Sequence, residues 1–549
     1  MADAIERVSL ATTISARNSS LTTDSLLNNC YPEQEENQDM DVVRRFGQTF
    51  VQQYTAGQAL GLFTYQNQIL AVVGTTAYLG VTSLGTVDGT SPYQFTLTTS
   101  NNGFVLKNNA KAYYYNGSTL AQITDSNYPT TTVAGVATLD NSQYYLTSAG
   151  SIWNCNTGTP TVFNALNFLS AGPTPSPGVA ITSYLNYVVA FTANTCAFFT
   201  DNANAIGSPL IINSSATLSI GCASAASVVQ TKNTIIWVGQ TKQRGRSIYV
   251  LNGLVAEAIS NTYIDRALAK DDLVNVYAYF IEINGHYLYV LTLKDSNLTL
   301  VYDMQTNEWH TWSSSILSTP LAITQAVLNQ GVVTLTIPNH GISNGTVVQI
   351  LGVAPVFYTG NFIVNVLDQN NIFYSTTSSL VGGINSEAIN AYAVNQDQPV
   401  QLSVKSLTAT PWSQNYFRGA YYTYANNTDY LLQETSGTLL QIAEGLSNDN
   451  GTFIYMTIQT DTNDFGSNEV KFSPAMEIVG DKSPGAVYIG YSDNDYQSFG
   501  YFRVVNMNAN RAMVRRCGSF RRRAWQIVYI GQYPSRFYSL DVYLNKGTM

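Results

Sequence analysis

The chain has 549 residues, enough for about two to four domains with a sizeable buried core. Aromatic residues make up 12% and charged residues only 11%, and the 37 tyrosines favour strands and broad, weakly charged surfaces. The net charge of −9 excludes a protein that wraps nucleic acid on a basic face, yet suits a channel whose acidic lining repels sliding DNA.

The five cysteines, Cys30, Cys155, Cys196, Cys222 and Cys517, are widely spaced and form no CxxC pair. They predict buried thiols from a reducing compartment rather than a disulfide framework or a zinc site. The first 20 residues lack the basic and apolar regions of a signal peptide, and no run of 18 apolar residues predicts a membrane span.

Residues 1–50 read as a polar arm. It contains Asn28-Asn29-Cys30-Tyr31-Pro32-Glu33, an acidic stretch with Glu33, Glu35, Glu36, Asp39 and Asp41, and then Arg44-Arg45-Phe46-Gly47. From residue 51 to 318 one pattern recurs: an apolar strand, a polar turn, and a second strand rich in Tyr, Phe or Trp. Instances are QNQILAVVGTTAYLG (66–80), GFVLKNNAKAYYYNG (103–117), QYYLTSAGSIWNC (143–155), NYVVAFTANTCAFFTD (186–201), NTIIWVGQTKQRGRSIYVLNG (233–253) and GHYLYVLTLKDSNLTLVYD (285–303). Their starts are 37, 40, 43, 47 and 52 residues apart. A hairpin alone cannot bury its apolar face, and a repeat of this length holds four strands that bury it against neighbours. An all-β protein with a propeller of six or seven blades is therefore expected. A short helix is expected only near Tyr263–Val276.

Residues 319–398 break the rhythm. Gly341, Gly345, Gly352 and Gly360 punctuate short strands around His340 and Phe357-Tyr358, as in a small inserted β-barrel or sandwich. Residues 399–450, with GAYYTYANNTDYLLQE (419–434), complete the propeller. Residues 451–549 form a last β region with an arginine cluster: Arg511, Arg515, Arg516, Arg521, Arg522 and Arg523.

Catalytic constellations are missing. His286, His310 and His340 are the only histidines, and no HExxH, GxSxG or GxxxxGK[ST] occurs. Ser492-Asp493-Asn494-Asp495 faintly resembles the Asp-box, a turn device in which a carboxylate accepts local N–H bonds. No catalytic residue, cofactor or metal is expected. Asp271 and Asp272 are the carboxylates that a glycan-degrading propeller would need to pair.

Several segments resemble the packaged-DNA stabilisation or tail nozzle proteins of short-tailed phages. The clearest is Gly285-His286-Tyr287-Leu288-Tyr289-Val290-Leu291-Thr292, followed by Tyr302, Asp303, Trp309, His310, Trp312 and Ser313, with Thr311 where the family has Glu. The Leu27–Glu33 segment, Arg44–Gly47 (without the family's Pro), Tyr491–Asp495, Cys517–Trp525 and the glycine-punctuated insert are also similar. The resemblance implies a virion protein, assembled in the host cytoplasm and released by lysis. It implies a ring, a hexamer, under the portal-adaptor, with tail fibre, tailspike or needle as further partners and genomic DNA in its lumen. It also implies that the arm and C-terminal region form a platform facing the adaptor. His286, Tyr302, Asp303, Trp309, His310 and Trp312 would be structural blade residues. The arginine cluster reads as an adaptor or subunit contact, a DNA phosphate contact, or a solvated strand edge packed on Trp525. A receptor-binding or glycan-degrading tail-fibre propeller is the alternative function.

Overall fold

The computed structural model describes residues 4–16, 24–34, 40–98, 102–204, 206–241, 243, 245–329, 331–354, 358–375, 400–401, 403–484 and 486–546. Glu35, Glu36, Asp39, Phe357 and the end of the insert, 376–398, lie outside them. The chain forms two compact units. One comprises Gln48–Gln305 and Phe417–Glu444; the other comprises Met1–Gly47, Thr306–Tyr416 and Gly445–Met549.

The first unit is a seven-bladed β-propeller. Blades 1 to 4 are four-stranded antiparallel sheets beginning at Ala59, Gln94, Ala137 and Gly178. In blade 5 two short strands, Gly221–Cys222 and Val229–Gln230, together pair with Ile235–Thr241. Blade 6 contains Val276–Ile283, His286–Leu293 and Leu298–Asp303. Blade 7 is built from both ends of this unit. Gly419–Ala425, Thr428–Gln433 and Thr438–Ala443 are joined at the outside by the strand that ends at Gln53. Tyr54 N donates to Gly437 O (3.0 Å), and Thr438 Oγ1 donates to Gln53 Oε1 (2.8 Å). This exchange closes the ring.

The sequence repeats are the two middle strands of blades 1 to 6, while 419–434 supplies the first two strands of blade 7. Several blades open with the same tight turn. Gln66-Asn67, Asp140-Asn141, Asn284-Gly285 and Asn426-Asn427 all have positive φ at both residues, the twist a two-residue hairpin prefers. Apolar layers join successive blades. Leu70, Val72, Phe104 and Leu106 fill one between blades 1 and 2, and Ala71 and Val73 meet Leu432 and Leu439 between blades 1 and 7. The helix is Thr262–Lys270, shorter than 263–276 at its C-terminal end. Asn261 caps it by accepting from Ile264 N (3.1 Å), and Asp271 ends it in extended conformation.

The second unit gathers its strands from across the chain. One sheet has the order Cys30–Gln34, Met40–Arg44, Arg536–Lys546, Lys471–Gly480, Met513–Arg515, with Ala4–Ser9 also on Arg536–Lys546. A second contains Leu26–Asn28, Met456–Gln459, Ala524–Tyr529, Ala486–Ser492 and Arg503–Asn506. Val42, Met476, Ile478, Leu540 and Val542 of the first share a core with Leu27, Ile458, Ile489, Trp525 and Ile527 of the second.

The insert is a sandwich rather than a closed barrel. Its sheets are Asn365–Asp368, Asn371–Ser375, Val332–Thr336, Gln325–Asn329, Val400–Gln401, and Gly360–Ile363, Val347–Ala354, Ser403–Tyr416, Leu321–Ala322. Val333, Leu335, Ile350, Phe362, Ile372 and Tyr374 lie between them. It also packs on the C-terminal strands. Val347 and Ile363 join Tyr488, Phe502 and Val528 in one cluster, and Asn365 exchanges two hydrogen bonds with the Phe502 backbone (2.7 and 3.1 Å).

Candidate functional site: an anchored arm and an arginine face

Three of the short motifs meet at one buried node in the second unit. Asn29 adopts φ +57, a left-handed conformation that Asn tolerates, and this turns its side chain inward. Its Nδ2 donates to Ser313 Oγ and Tyr455 O (both 2.8 Å), while its Oδ1 accepts from Ser313 N (2.8 Å) and Arg45 Nε (2.7 Å). The fully buried Arg45 also donates to Phe46 O (2.9 Å) and Ser313 O (3.1 Å), and it pairs with Asp449 (2.9 Å at Nη1). Its guanidinium lies 5.9 Å from the Trp312 ring centroid. A planar group with five donors suits this node, because a buried cation needs both charge pairing and satisfied N–H bonds.

Thr311 and Phe46 have local uses in the node. Thr311 donates to Leu27 O (3.2 Å) and Asn28 Oδ1 (3.1 Å), tying the arm strand Leu26–Asn28 to Glu308–Leu317. Phe46 stacks on Tyr31 at 5.6 Å. Gly47 follows because a Cβ there would sit 2.5 Å from the backbone oxygens of Leu446 and Asn448. Trp309 and Trp312 are buried, and Trp309 O accepts from Ile14 N (3.0 Å). His310 is buried beside Tyr31 and Trp312, with ring centroids 6.1 and 6.3 Å away.

The six clustered arginines divide into different roles. Arg523 is buried; it pairs with Asp493 (2.6 and 2.8 Å), donates to Cys517 O (2.6 Å), and lies 3.7 and 4.2 Å from the Tyr491 and Phe520 ring centroids. It is a core residue and offers no surface to another chain, a correction to its reading as an interface group. The Asp-box-like turn explains why. Ser492 Oγ and Asn494 Oδ1 accept the local N–H bonds of Tyr496 (3.1 Å) and Ser498 (3.1 Å), which leaves Asp493 and Asp495 to hold Arg523 and Arg522. Arg511 pairs with Glu477, whose carboxyl this arginine holds below its usual range, and touches Tyr543. Arg521 donates to Asn468 O (2.9 Å). Arg515 and Arg516 are exposed, and among the described residues their guanidinium groups have no partner. Arg503, which the cluster as read from sequence did not include, donates to Arg515 O (2.8 Å) and Arg516 O (3.3 Å) and so lies beneath this face.

The other candidates for chemistry serve the fold. His286 Nδ1 meets Asp303 at 2.7 Å in a fully buried pair, whose second carboxylate oxygen accepts from Gln305 N (2.9 Å). Tyr302 pairs across its hairpin with Tyr289, which donates to Ser227 O (2.9 Å) in blade 5. His340 accepts from Ile342 N at Nδ1 (2.9 Å) and donates from Nε2 to Asp368 O (2.9 Å), shaping a turn of the insert. Asp271, Asp272 and Asp295 bring carboxylate oxygens within 4.8 Å of one another. Asp271 accepts from Leu273 N (2.9 Å) and Ser296 Oγ (2.7 Å), Asp272 from Val274 N (2.9 Å), and Asp295 from Asn275 (3.0 Å). These carboxylates cap a loop that places Leu273 at φ +62. All five cysteines are buried as free thiols.

The first unit's seven blades define a β-propeller protein. Residues 16–333 match the family described as bacteriophage P22 Gp10, beta-propeller, and the chain belongs to this family. It is accordingly a phage structural protein, a component of the virion. No curated protein matches the sequence. Solved structures similar to it include the computationally designed Ika8 protein (12% identity, 72% of this chain and 99% of that one, TM-score 0.35). The N-terminal domain of Nup159 (12%, 57% and 96%, TM-score 0.32) and BamB from Moraxella catarrhalis (13%, 64% and 96%, TM-score 0.27) are also similar.

Proposed function

We propose that the chain is the tail nozzle of a short-tailed phage. Copies form a ring, taken to be a hexamer, beneath the portal-adaptor. The ring extends the DNA channel, retains packaged DNA and releases it at infection. The observation that carries this reading is the family match over residues 16–333, which takes in most of the arm and the first six blades. The anchored arm supports it further: the arm motifs are used to fix a β platform, and a platform is what docking onto a ring requires. The exposed arginines of that platform suit contacts with acidic protein groups. The role is mechanical and needs no catalytic residue. The distal end is the proposed site for tail fibre, tailspike or needle, and DNA is a passing occupant of the lumen.

The test is the mass of the purified chain with and without its portal-adaptor ring. The expected result is an assembly that gains about six copies of the chain by closure of one heterologous interface. A chain that stays monomeric and ignores the adaptor at micromolar concentration refutes the nozzle role. Saturable glycan hydrolysis, abolished by substituting Asp271 or Asp272, would support the tail-fibre alternative instead.

A further inference from the structure

Charge is spread unevenly around the propeller. First strands of neighbouring blades bond one another: Thr96 and Thr138 share a hydroxyl hydrogen bond (2.6 Å), and Thr138 N donates to Ser183 Oγ (2.9 Å). These strands line the axis, and the last strand of each blade forms the outer rim. Residues 46–87, which supply the rim strand of blade 7 and all of blade 1, contain no Asp, Glu, Lys or Arg. Residues 141–231, which supply nearly all of blades 3 and 4, contain only Asp201. Between these arcs stand Asp88, Lys107, Lys111, Asp125 and Asp140, and residues 232–305 contain fourteen such charged groups.

Both uncharged arcs expose large apolar side chains at the rim. On the first, Phe50 and Val51 stand on the rim strand Gly47–Gln53 of blade 7, and Val81 (79% exposed) leads into the rim strand Thr82–Thr86 of blade 1. Tyr54 packs on Tyr78 at 4.9 Å, which joins the two blades here. On the second arc the rim strand of blade 3, Thr159–Ser170, has 12 residues, against three to five in blades 1, 2, 4 and 5. It exposes Val162, Leu166 (62%) and Phe168, the last stacked on Trp153 at 4.9 Å. In blade 4, Leu210 and Ile212 turn into the layer shared with Leu169, so Ile211 faces outward. Exposed Ile206 adjoins blade 3, because a Cβ on the neighbouring Gly207 would lie 3.5 Å from Leu166 O. Neither Thr82–Thr86 nor Thr159–Ser170 is paired on its outer side among the described residues. Such edges usually carry a guarding charge, as Glu257 does in Val255–Ala258 of blade 5.

We infer that the uncharged rim of blades 7 and 1 in one copy receives the uncharged rim of blades 3 and 4 in the next, with the propeller axis along the ring axis. The inference rests on the proposed ring and names its subunit contact. A charged surface loses its water without compensation against either rim, so the match for each is a surface of the same kind, and a second copy brings one. Their angular placement suits closure. Seven blades are about 51° apart, so blade 3 points about 103° and blade 4 about 154° away from blade 1. A closed ring of six needs about 120° between the directions to its two neighbours, which falls within this span. Contact between unlike rims also keeps every copy in one orientation, as a tube that meets its adaptor at one end requires.

The test blocks one rim at a time in the full chain, with Phe50→Glu and Val81→Glu or with Leu166→Glu and Phe168→Glu. Assembly is read by sedimentation velocity of the free chain and by mass on its portal-adaptor ring. Every junction uses both rims, so either block should weaken assembly about tenfold or more, as an unpaired carboxylate in an apolar contact does. Mixing the two blocked proteins should give a dimer and nothing larger, since each keeps the rim that the other has lost. Wild-type association should not weaken with added salt. Leu166→Met with Phe168→Leu, which keeps the rim apolar, should assemble as wild type. Unchanged melting of each variant shows that the fold is retained, and the single change Val162→Lys should reproduce the loss if a double variant misfolds. Blocked proteins that still pair with themselves and form no mixed dimer show that like rims meet, which overturns the inference. Assembly on the adaptor indifferent to both blocks overturns this contact and leaves the ring standing. A wild-type chain that is monomeric when free and loads the adaptor without cooperativity overturns it too. A blocked chain that cannot bind the adaptor even as a single copy assigns the rim to the adaptor and overturns the inference. A wild type that ignores the adaptor refutes the nozzle reading, and the blocks in free solution then decide the contact separately.

Discussion

The two units solve the same burial problem by different means. In the propeller, neighbouring strands are mostly neighbours in sequence, joined by tight hairpins, and each blade buries its faces on the next through uncharged layers. In the second unit, strands from residues 4–44, 308–317 and 456–546 share sheets, and buried arginines tie them: Arg45 to Asn29, Ser313 and Asp449, and Arg523 to Asp493. A repeated fold can rely on many similar apolar contacts. A sheet assembled from distant segments needs directional bonds that accept one register, a hypothesis that the first prediction tests directly.

The largest expected effect is on the node. Arg45→Met leaves Asp449 and the Asn29 carbonyl without their main partner and should cost about 3–5 kcal/mol in chemical denaturation, as loss of one member of a buried pair does. Hydrogen exchange should locate the loss in the arm and the C-terminal strands. Protection lost equally from the propeller blades would break the contrast drawn here.

An exception to the propeller's apolar plan lies in blade 2. Lys107 in blade 2 is buried and donates to Val133 O, and burial pulls its pKa from 10.5 down to about 7. The unfolded chain binds this proton more tightly than the fold does. The penalty is thus fully present below about pH 7 and fades as pH rises towards 10.5. Lys107→Met should therefore stabilise the propeller below pH 7 by about 2–3 kcal/mol, after allowance for the lost hydrogen bond to Val133. Melting temperatures at pH 6 and pH 9 check this; the gain should shrink at the higher pH.

A smaller effect is expected where the insert meets the C-terminal strands. Gly345 has φ +81, and a Cβ there would lie 2.6 Å from the Phe502 ring. Gly345→Ala should cost about 2 kcal/mol, from backbone strain and displacement of that ring. If the insert were merely tethered, only its own strands would lose exchange protection. Losses should instead extend to Tyr488 and Val528, its partners in the shared cluster. The smallest effect is predicted for Arg511→Ala. The side chain is exposed, so its pairing with Glu477 should leave the melting temperature unchanged within error, in contrast to Arg45.

The sequence made the middle strands of the blades legible because they are apolar, rich in aromatics and flanked by turn residues. Outer strands such as Leu120–Gln122 and Leu210–Ile212 have only three residues and little pattern of their own. The blade-closing strand at Gly47–Gln53 looks like the end of the arm, since its partner Thr438–Ala443 lies almost 400 residues away. The arginine cluster was visible as a run of charge. That Arg523 belongs to the core while Arg515 and Arg516 face solvent was not, because the difference depends on Tyr491, Asp493 and Phe520 folding around one of them.

By itself the sequence determined that this is an all-β protein with hairpins repeating every 37 to 52 residues, a glycine-punctuated insert and no standard catalytic motif. Periodicity and turn chemistry are local properties, and they survive in a one-dimensional reading. The tertiary structure alone decided that there are seven blades, that the N-terminal segment closes the last one, and that Asn29, Arg45 and Ser313 form a single node. Strand pairing between distant segments is set by which hydrogen bonds and apolar faces are satisfied together, and no local pattern encodes that choice.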